Sequence, residues 1–472
     1  MNAGYLCYHW RRPPAANHAF SLRFLITGRK LVRLLCSQPK AADQGKVTKV
    51  FIVAGEPSGD AIGSRIMASL KHMSQRKFKF AGVGGVWMER EGLHSKFQME
   101  DIAVMGTLEL VPHALKIWAR LRQTIAAVVD FNPDLVLTID SKGFTFRVLK
   151  GIKAYYELHG RPCPLCIHYV APSVWAWKGG EHNVKILSKL VDHVLCILPF
   201  EEDIFRSYGV AATYVGHPVL EDAFDSSLKN HWEEPCGTNW KITGDALTFR
   251  KQHRLSAATT LVSVLPGSRM QEVRRMLPIF GTTLTMLKDH ISDLAVIIPT
   301  VSSKVLLDEI NFSIKQWNIP VVVLAGASQK EKYDAFSASD AGLCTSGTAV
   351  LQLQMARLPC VVAYRAHPVT EWIIKHKTKL RYMSLPNILL DSLVIPEALF
   401  SACTPEQLTH VLRDILKNTR LQKQQASAAE KVLCLLAPKV PSESGGQMSQ
   451  SQRPSVAAAN IVLSLLDECY RI

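Results

Sequence analysis

The chain has 472 residues, of which 47% are hydrophobic and 20% charged, and its formal net charge is +15. This length allows two or three domains with real cores, and the composition excludes an intrinsically disordered protein. No run reaches the roughly 18 consecutive apolar residues that a membrane-spanning helix needs. The 11 cysteines are odd in number and lack paired metal-ligand spacing, which favours reduced thiols and predicts no metal site.

Basic residues are concentrated in residues 1–46, which carry eight Lys or Arg and one acid, Asp43. An Arg-rich leader that lacks a long apolar core is typical of an organelle transit peptide, and a disordered tail is the alternative. The rest of the chain carries the remaining +8, which fits either a solvated basic surface or attraction to anionic lipid headgroups. Nucleic-acid binding is not expected, because no basic stripe with interleaved aromatic residues occurs outside the leader.

Residues 47–218 alternate between strand and helix patterns, which predicts a first Rossmann-like domain with a parallel, doubly wound sheet. The predicted strands are Lys49–Ala54, Lys79–Val83, Leu135–Ile139, Cys166–Val170, His193–Ile197 and Thr213–Val215. The predicted helices are Ala61–Met73, Met88–Glu91, Ala114–Asp130, Arg147–Leu158 and Glu201–Tyr208.

The pattern breaks over residues 219–258, which contain Pro235, Gly237 and Gly244 and read as a linker with a surface insertion. A second alternating series predicts another Rossmann-like domain over residues 259–437. Its predicted strands are Leu261–Leu265, Ala295–Pro299, Val321–Ala325, Ala341–Cys344 and Cys360–Ala363. Residues 438–454 read as a flexible linker before a last helix, 455–470, which we expect to pack back on the first domain. The predicted fold is therefore α/β, with two domains facing a cleft.

The most informative turn, Ala54–Asp60, follows the first strand and opens a helix. It combines a carboxylate, Glu56, with a hydroxyl, Ser58. A carboxylate argues against a plain phosphate cradle and favours a site that holds or deprotonates a hydroxyl. Asp60 is predicted to cap the helix that follows.

Asp140 ends an apolar strand pattern, so we expect it at the carboxyl end of the sheet, facing the cleft. Partial burial there raises the pKa of a carboxylate towards that of a useful base. A helix N-cap is the alternative reading. Glu56 either orients the acceptor hydroxyl or is itself the base.

Two glycine turns in the second domain have the chemistry of a diphosphate site. Gly267-Ser268-Arg269 supplies a hydroxyl and a guanidinium, and a surface ion pair of the arginine is the alternative. Ser346-Gly347-Thr348 follows a strand and opens a helix, whose free N–H groups and dipole suit a β-phosphate.

The remaining candidates have two readings each. His217 at the hinge contacts phosphate or makes a structural hydrogen bond, and Asn387 contacts the uridine or sugar or caps a turn. Trp175 and Trp177 in an extended segment would point the same way and form an apolar wall for sugar or acyl chains, or they pack in the core. Residues 104–121 mix apolar and basic side chains, which predicts either a core helix or contact with a membrane surface.

Nine short motifs recur in a fixed order along nearly the whole chain. They are Ala54–Asp60, Val104–Gly106, Thr138–Asp140, His168–Trp177, Leu198–Glu201, Val215–Pro218, Leu265–Arg269, Thr345–Ala349 and Ser384–Asn387. Together they resemble lipid-A-disaccharide synthase over about residues 47–470, and no single motif is specific alone.

The resemblance implies a GT-B glycosyltransferase with inverting, metal-independent chemistry and no cofactor. Its substrates would be UDP-2,3-diacylglucosamine and 2,3-diacylglucosamine 1-phosphate, joined into a β-1,6-linked disaccharide 1-phosphate. With the leader, it implies a plant mitochondrial form, peripheral on the inner membrane. It also suggests a homodimer.

Three positions depart from the family pattern. Gly143 stands where a second acid is usual, Gln352 stands where a ribose-holding glutamate is expected, and Val86-Trp87 replaces a Pro-Arg pair. The first two favour an alternative, a UDP-sugar or glycolipid-binding protein with reduced or lost turnover. A GT-B sugar-nucleotide epimerase is a third hypothesis, which would need no acyl-chain wall.

Overall fold

The computed structural model describes residues 47–102, 110–224, 241–301, 303–438 and 453–470, which belong to one compact unit. The predicted leader and most of the predicted linker 438–454 lie outside the described residues, as does the start of the predicted apolar and basic surface. Among the residues described, no helix is both long enough and apolar enough to cross a bilayer.

The first half of the molecule is built on a seven-stranded parallel sheet. Its strands are β1 (Val47–Ala54), β2 (Lys77–Val83), β3 (His94–Ser95), β4 (Leu135–Ile139), β5 (Leu165–Tyr169), β6 (His193–Cys196) and β7 (Ala212–Tyr214), ordered β3-β2-β1-β4-β5-β6-β7. The helices between them are α1 (Pro57–Met73), α2 (Val86–Arg90), α3 (Leu110–Phe131), α4 (Lys142–Leu158), α5 (Glu181–Leu187) and α6 (Glu201–Ser207). All six predicted strands are present, and the short elements β3 and α5 were not predicted.

The second half has a six-stranded parallel sheet. Its strands are β8 (Thr260–Leu265), β9 (Leu294–Thr300), β10 (Val321–Ala325), β11 (Ala341–Cys344), β12 (Cys360–Tyr364) and β13 (Glu397–Leu399), ordered β10-β9-β8-β11-β12-β13. The helices are α7 (Ala246–Gln252), α8 (Met270–Lys288), α9 (Lys304–Ile314), α10 (Gln329–Ala338), α11 (Thr348–Met355), α12 (Pro368–Lys377), α13 (Leu385–Leu390), α14 (Pro405–Lys417) and α15 (Thr419–Leu436). The expected α/β architecture with two Rossmann-like sheets is confirmed.

Each sheet reverses its strand order at one place, between β1 and β4 in the first and between β8 and β11 in the second. At such a switch point the connections leave in opposite directions and open a crevice outside the carboxyl ends of the strands. The loops after these four strands carry Glu56, Asp140, Arg269 and Gly347, so the topology brings the predicted site residues to the two crevices.

The prediction of a linker and surface insertion over residues 219–258 is wrong for the two parts of this range that the structure describes, 219–224 and 241–258. Residues Pro218–Phe224 form a 3₁₀ helix that buries Val219 and Leu220, and α7 buries Phe249 against the second half. Pro235 and Gly237, which suggested a loop, lie outside the described residues.

The last helix, α16 (Pro454–Cys469), packs against α1. Val462 and Leu466 share one apolar cluster with Ile66 and Leu70 of α1. The Ser69 hydroxyl also donates to Ser455 Oγ at 3.0 Å. The chain therefore returns to the first half after completing the second.

Asp60 does not cap α1, because that helix begins at Pro57 and Asp60 lies inside its first turn. Its buried carboxylate instead accepts from the backbone N–H groups of Gly85, Trp87 and Met88 at 2.9 to 3.0 Å. These are the free donors at the start of α2, so Asp60 caps that helix from a neighbouring element.

Candidate active site

An ion pair joins the two halves across the crevice. Glu56 is the N-cap of α1, Arg269 is the N-cap of α8, and Arg269 Nη2 lies 3.2 Å from Glu56 Oε2. Arg269 also contacts Glu272 Oε1 at 3.3 Å. The arginine side chain is about half exposed, whereas that of Glu56 is only 15% exposed. The guanidinium is therefore open to an incoming anion, which would compete with Glu56 for it.

The two predicted catalytic carboxylates have raised pKa values. Burial is the main cause for both. The charge of Arg269 opposes the rise at both sites, and the negative charge of Asp140 adds to it at Glu56. Asp140, Glu56 and Arg269 thus form one electrostatic cluster at the crevice.

The loop after β4 is held in an unusual conformation that presents Asp140. Asp140 and Ser141 both have positive φ values, 48° and 47°, in the left-handed region that Asp tolerates better than most residues. Ser141 packs so close to the β1 loop that a Cβ on Gly55 would lie 2.5 Å from its Oγ. Ser58, in the first turn of α1, is exposed beside this contact.

The two glycine turns of the second half present exposed polar groups. Gly267 has a φ of 111°, and Ser268 after it is exposed. Gly347 has a φ of 145° with open space around it, and Thr348 begins α11. Ser346 differs from the prediction in one respect, because its hydroxyl donates to Met383 O at 2.8 Å and so anchors the turn.

Gln352 on α11 belongs to a polar cluster around Asp222. Its Nε2 donates to Asp222 Oδ2 at 3.0 Å, while Arg65 of α1 and Gln329 of α10 donate to Oδ1 at 3.2 Å. Tyr333 OH lies 3.5 Å from Oδ2. Asp222 therefore links the first half to two helices of the second, and sequence reasoning missed it because it lay in the predicted linker.

His217 and Asn387 are structural residues. His217 is buried, its Nδ1 accepts from Val219 N at 3.1 Å, and burial lowers its pKa to about 4, so it is uncharged near neutral pH. Asn387 is fully buried, donates to Ile395 O and Glu397 Oε1, and accepts two backbone N–H groups. The predicted uridine or sugar contact of Asn387 is wrong, because its hydrogen-bonding capacity is used within the protein.

The tryptophans do not form a common wall in an extended segment. Residues Val174–Ala176 form a 3₁₀ helix, and Trp175 packs on Phe200 and donates through Nε1 to Glu201 at 3.1 Å. Trp177 pairs with Thr378 of the second half in an antiparallel bridge. That prediction is wrong because the Pro172 turn tightens the chain where two-residue alternation was assumed.

Glu201 is a second residue that the sequence reasoning passed over. It is almost fully buried, and burial raises its pKa to about 7, although Trp175 and two backbone N–H groups stabilise its charged form. Its position in the Leu198–Glu201 motif was the available signal. It fixes the Trp175 loop beside the crevice.

The family described as lipid-A-disaccharide synthetase matches residues 50–450. The probable mitochondrial lipid-A-disaccharide synthase of Arabidopsis thaliana is 47% identical over 434 residues, covering 90% of this chain and 92% of that protein. Lipid-A-disaccharide synthase of Rhodospirillum centenum is 38% identical, covering 88% of this chain and 94% of that protein.

Solved structures support the fold alone. UDP-GlcNAc 2-epimerase from Neisseria meningitidis, bound to UDP-GlcNAc, superimposes with a TM-score of 0.56 at 13% identity and covers 89% of this chain and all of that one. The enzyme of the same name from Methanocaldococcus jannaschii gives 0.50 at 13% identity, covering 83% and 99%. The family match and the relatives decide the assignment: the chain belongs to the lipid-A-disaccharide synthetase family.

Proposed function

We propose that this chain is a glycosyltransferase that joins UDP-2,3-diacylglucosamine and 2,3-diacylglucosamine 1-phosphate into a β-1,6-linked lipid A disaccharide 1-phosphate and releases UDP. The observation that carries the proposal is the cluster of Asp140 and Glu56, with raised pKa values, against Arg269 of the opposite half. The names of the relatives supply the substrate class.

Asp140 is the base in this proposal. It takes the proton of the acceptor 6-hydroxyl as that oxygen attacks C1 of the donor sugar from the face opposite UDP. Burial makes its carboxylate more basic than an exposed aspartate. Glu56 and Ser58 orient the hydroxyl, and the Glu56 oxygen that Arg269 contacts becomes available for it when Arg269 turns to the diphosphate.

The second half holds the donor. Arg269, with the turn Gly267-Ser268, pairs with the diphosphate and gives up Glu56 when UDP-sugar binds. The N–H groups of Ser346-Gly347-Thr348 and the dipole of α11 offset the charge that develops on the departing UDP. Gln352 hydrogen-bonds the ribose.

The same proposal covers organisation and location. Residues 47–218 form the acceptor and lipid domain, residues 259–437 form the UDP-sugar domain, and residues 1–46 direct the chain to the mitochondrion, where it is peripheral on the inner membrane. Leu115 and Trp118 of α3 are exposed beside Lys116 and Arg122, which supports membrane contact. Fusing residues 1–46 to a fluorescent protein tests whether they direct a protein to the mitochondrion. Cytosolic fluorescence would contradict this part of the proposal.

The reaction is tested by mixing the protein with both lipid substrates and a chelator, and weighing the products by mass spectrometry. We expect a tetra-acylated disaccharide phosphate, lost by at least about 100-fold in Asp140→Asn. The exposed surface change Asp289→Asn is the matched control. UDP binding without disaccharide would replace this proposal with the binding-protein hypothesis. Failure to form disaccharide, together with epimerisation of UDP-GlcNAc in a separate incubation, would favour an epimerase.

A further inference from the structure

Helix α12 presents its apolar side to solvent. None of its residues is buried, and Val369 and Trp372 are 60% and 58% exposed. These two, with Ile373 and His376, follow the spacing i, i+3, i+4, i+7 of a single helix face. An ordinary surface helix turns its apolar face to the core, whereas α12 turns this face to solvent.

Positive charge flanks the apolar face. Residues 365–381 contain five Lys or Arg and one acid, Glu371, whose Oε1 already accepts from Ala366 N at 3.2 Å. Lys375 and Lys377 lie on either side of the apolar stripe, and both are exposed. Among the described residues, no carboxylate lies within ion-pair distance of either lysine.

The helix is fixed at the rim of the crevice. It follows β12, at the same edge of the sheet as the turns after β8 and β11 that carry Arg269 and Gly347. Its C-terminal end pairs with the first half, since Lys178 N donates to Lys377 O at 2.8 Å and Lys379 N donates to Ala176 O at 2.9 Å. The exposed face is therefore held in place next to the site.

We infer that α12 is a membrane-docking helix whose partner is an anionic lipid bilayer. Val369, Trp372 and Ile373 insert at the boundary between headgroups and acyl chains, and Lys375 and Lys377 pair with lipid phosphates. An apolar stripe with lysine on both sides complements that surface in both polarity and charge. With α3, each half of the molecule then has its own membrane contact.

The inference deepens the proposed function, because acylated substrates reach the crevice from a bilayer. Its test uses no sugar substrate, so a failed transfer reaction leaves it standing. Hydrogen–deuterium exchange of the full chain is measured with vesicles of phosphatidylcholine and phosphatidylglycerol. We expect exchange in residues 368–377 to slow about tenfold on these vesicles and much less on phosphatidylcholine alone.

Variants separate docking from unspecific adsorption. Trp372→Ser with Ile373→Ser abolishes the slowing in residues 368–377. Lys375→Gln with Lys377→Gln weakens the slowing at low salt and changes it little at raised salt, where the attraction of the lysines to lipid phosphates is already screened. Phe312→Ser, on α9, removes a side chain that is 65% exposed and leaves the slowing unchanged. A local readout is needed because the basic leader also attracts anionic vesicles.

Two results would overturn the inference. Equal protection of residues 368–377 in the wild type and in the Trp372→Ser, Ile373→Ser variant would show that the apolar face does not insert. Protection that appears without vesicles and grows with protein concentration would show that a second copy of the chain covers α12.

Discussion

At the scale of single residues, the candidate site holds two carboxylates, Asp140 and Glu56, in positions where their charged forms do not stabilise the folded protein. Asp140 sits partly buried in a left-handed backbone conformation, and burial disfavours its charged form. Burial likewise disfavours the charged form of Glu56, whose backbone is extended and whose partner is a half-exposed arginine. A residue in such a position lowers the stability of the protein in return for reactivity. Its titration should therefore be visible in how stability and activity depend on pH.

Asp140→Asn should lower kcat by at least about 100-fold while raising thermal stability. The pKa of Asp140 is raised in the folded state, so its contribution to the free energy of unfolding is present at low pH and is lost as pH rises through that pKa. An amide at this position does not ionise, so the variant keeps this contribution to the free energy of unfolding at high pH. The amide also accepts the same backbone conformation. Melting curves should therefore show a larger gain in Tm at pH 8 than at pH 4.

For the wild type, kcat/KM should fall on the acid side at a pH above the ordinary titration range of an aspartate. A gain in Tm that does not vary with pH would contradict the assignment of the raised pKa to Asp140.

Gln352 stands where the family pattern has a glutamate, and its amide donates to Asp222 Oδ2, which a glutamate there could not do. Gln352→Glu places a second carboxylate against Asp222 Oδ2 and should weaken UDP binding by about tenfold, which corresponds to a repulsion of ~1.4 kcal/mol. Adding Asp222→Asn should restore much of the affinity, since the new amide donates to the new carboxylate. Calorimetric titration with UDP measures both, and tighter binding by the single variant would refute the pairing.

At the scale of elements, the loops after β1 and β4 must touch for Glu56 and Asp140 to act together. Gly55→Ala drives a Cβ to 2.5 Å from Ser141 Oγ, so we expect about 1–3 kcal/mol of destabilisation and a larger loss of kcat than of UDP affinity. Ser141→Gly in the same chain should relieve the clash. Urea unfolding and steady-state kinetics check this, and a Gly55→Ala enzyme with normal kcat would show that the approach is not needed.

Elements with strong apolar runs were predictable from sequence, and elements formed by contact were not. β10 (Val321–Ala325) and β11 (Ala341–Cys344) have the predicted bounds, because valines mark the first, apolar residues mark the second, and Gly326 and Thr345 follow them. β13 has three residues and includes Glu397, so its pattern is too short to read. The 3₁₀ helix at Val174–Ala176 depends on a turn and on the Trp175–Glu201 hydrogen bond, which no local pattern encodes.

At the scale of the whole molecule, the return of α16 to α1 ties the end of the chain to the first half. Leu466→Ala removes a buried side chain from this contact and should lower the free energy of unfolding by about 2–5 kcal/mol. Glu468→Ala, exposed on the same helix, is the matched control and should change it by less than about 0.5 kcal/mol. Chemical denaturation measures both, and equal effects would mean that α16 does not stabilise the first half.

The sequence by itself determined the family, the two parallel sheets and the neighbourhood of the site. Strand periodicity and the glycine turns are local properties, and the topology of parallel sheets brings the ends of β1, β4, β8 and β11 to their crevices. Only the tertiary structure decided that Arg269 meets Glu56, that Asp222 meets Gln352, and that Asn387 and His217 are enclosed. Those outcomes depend on which residues from distant segments become neighbours. Hydrogen-bond partners and burial are set by that packing, and no short window of sequence contains it.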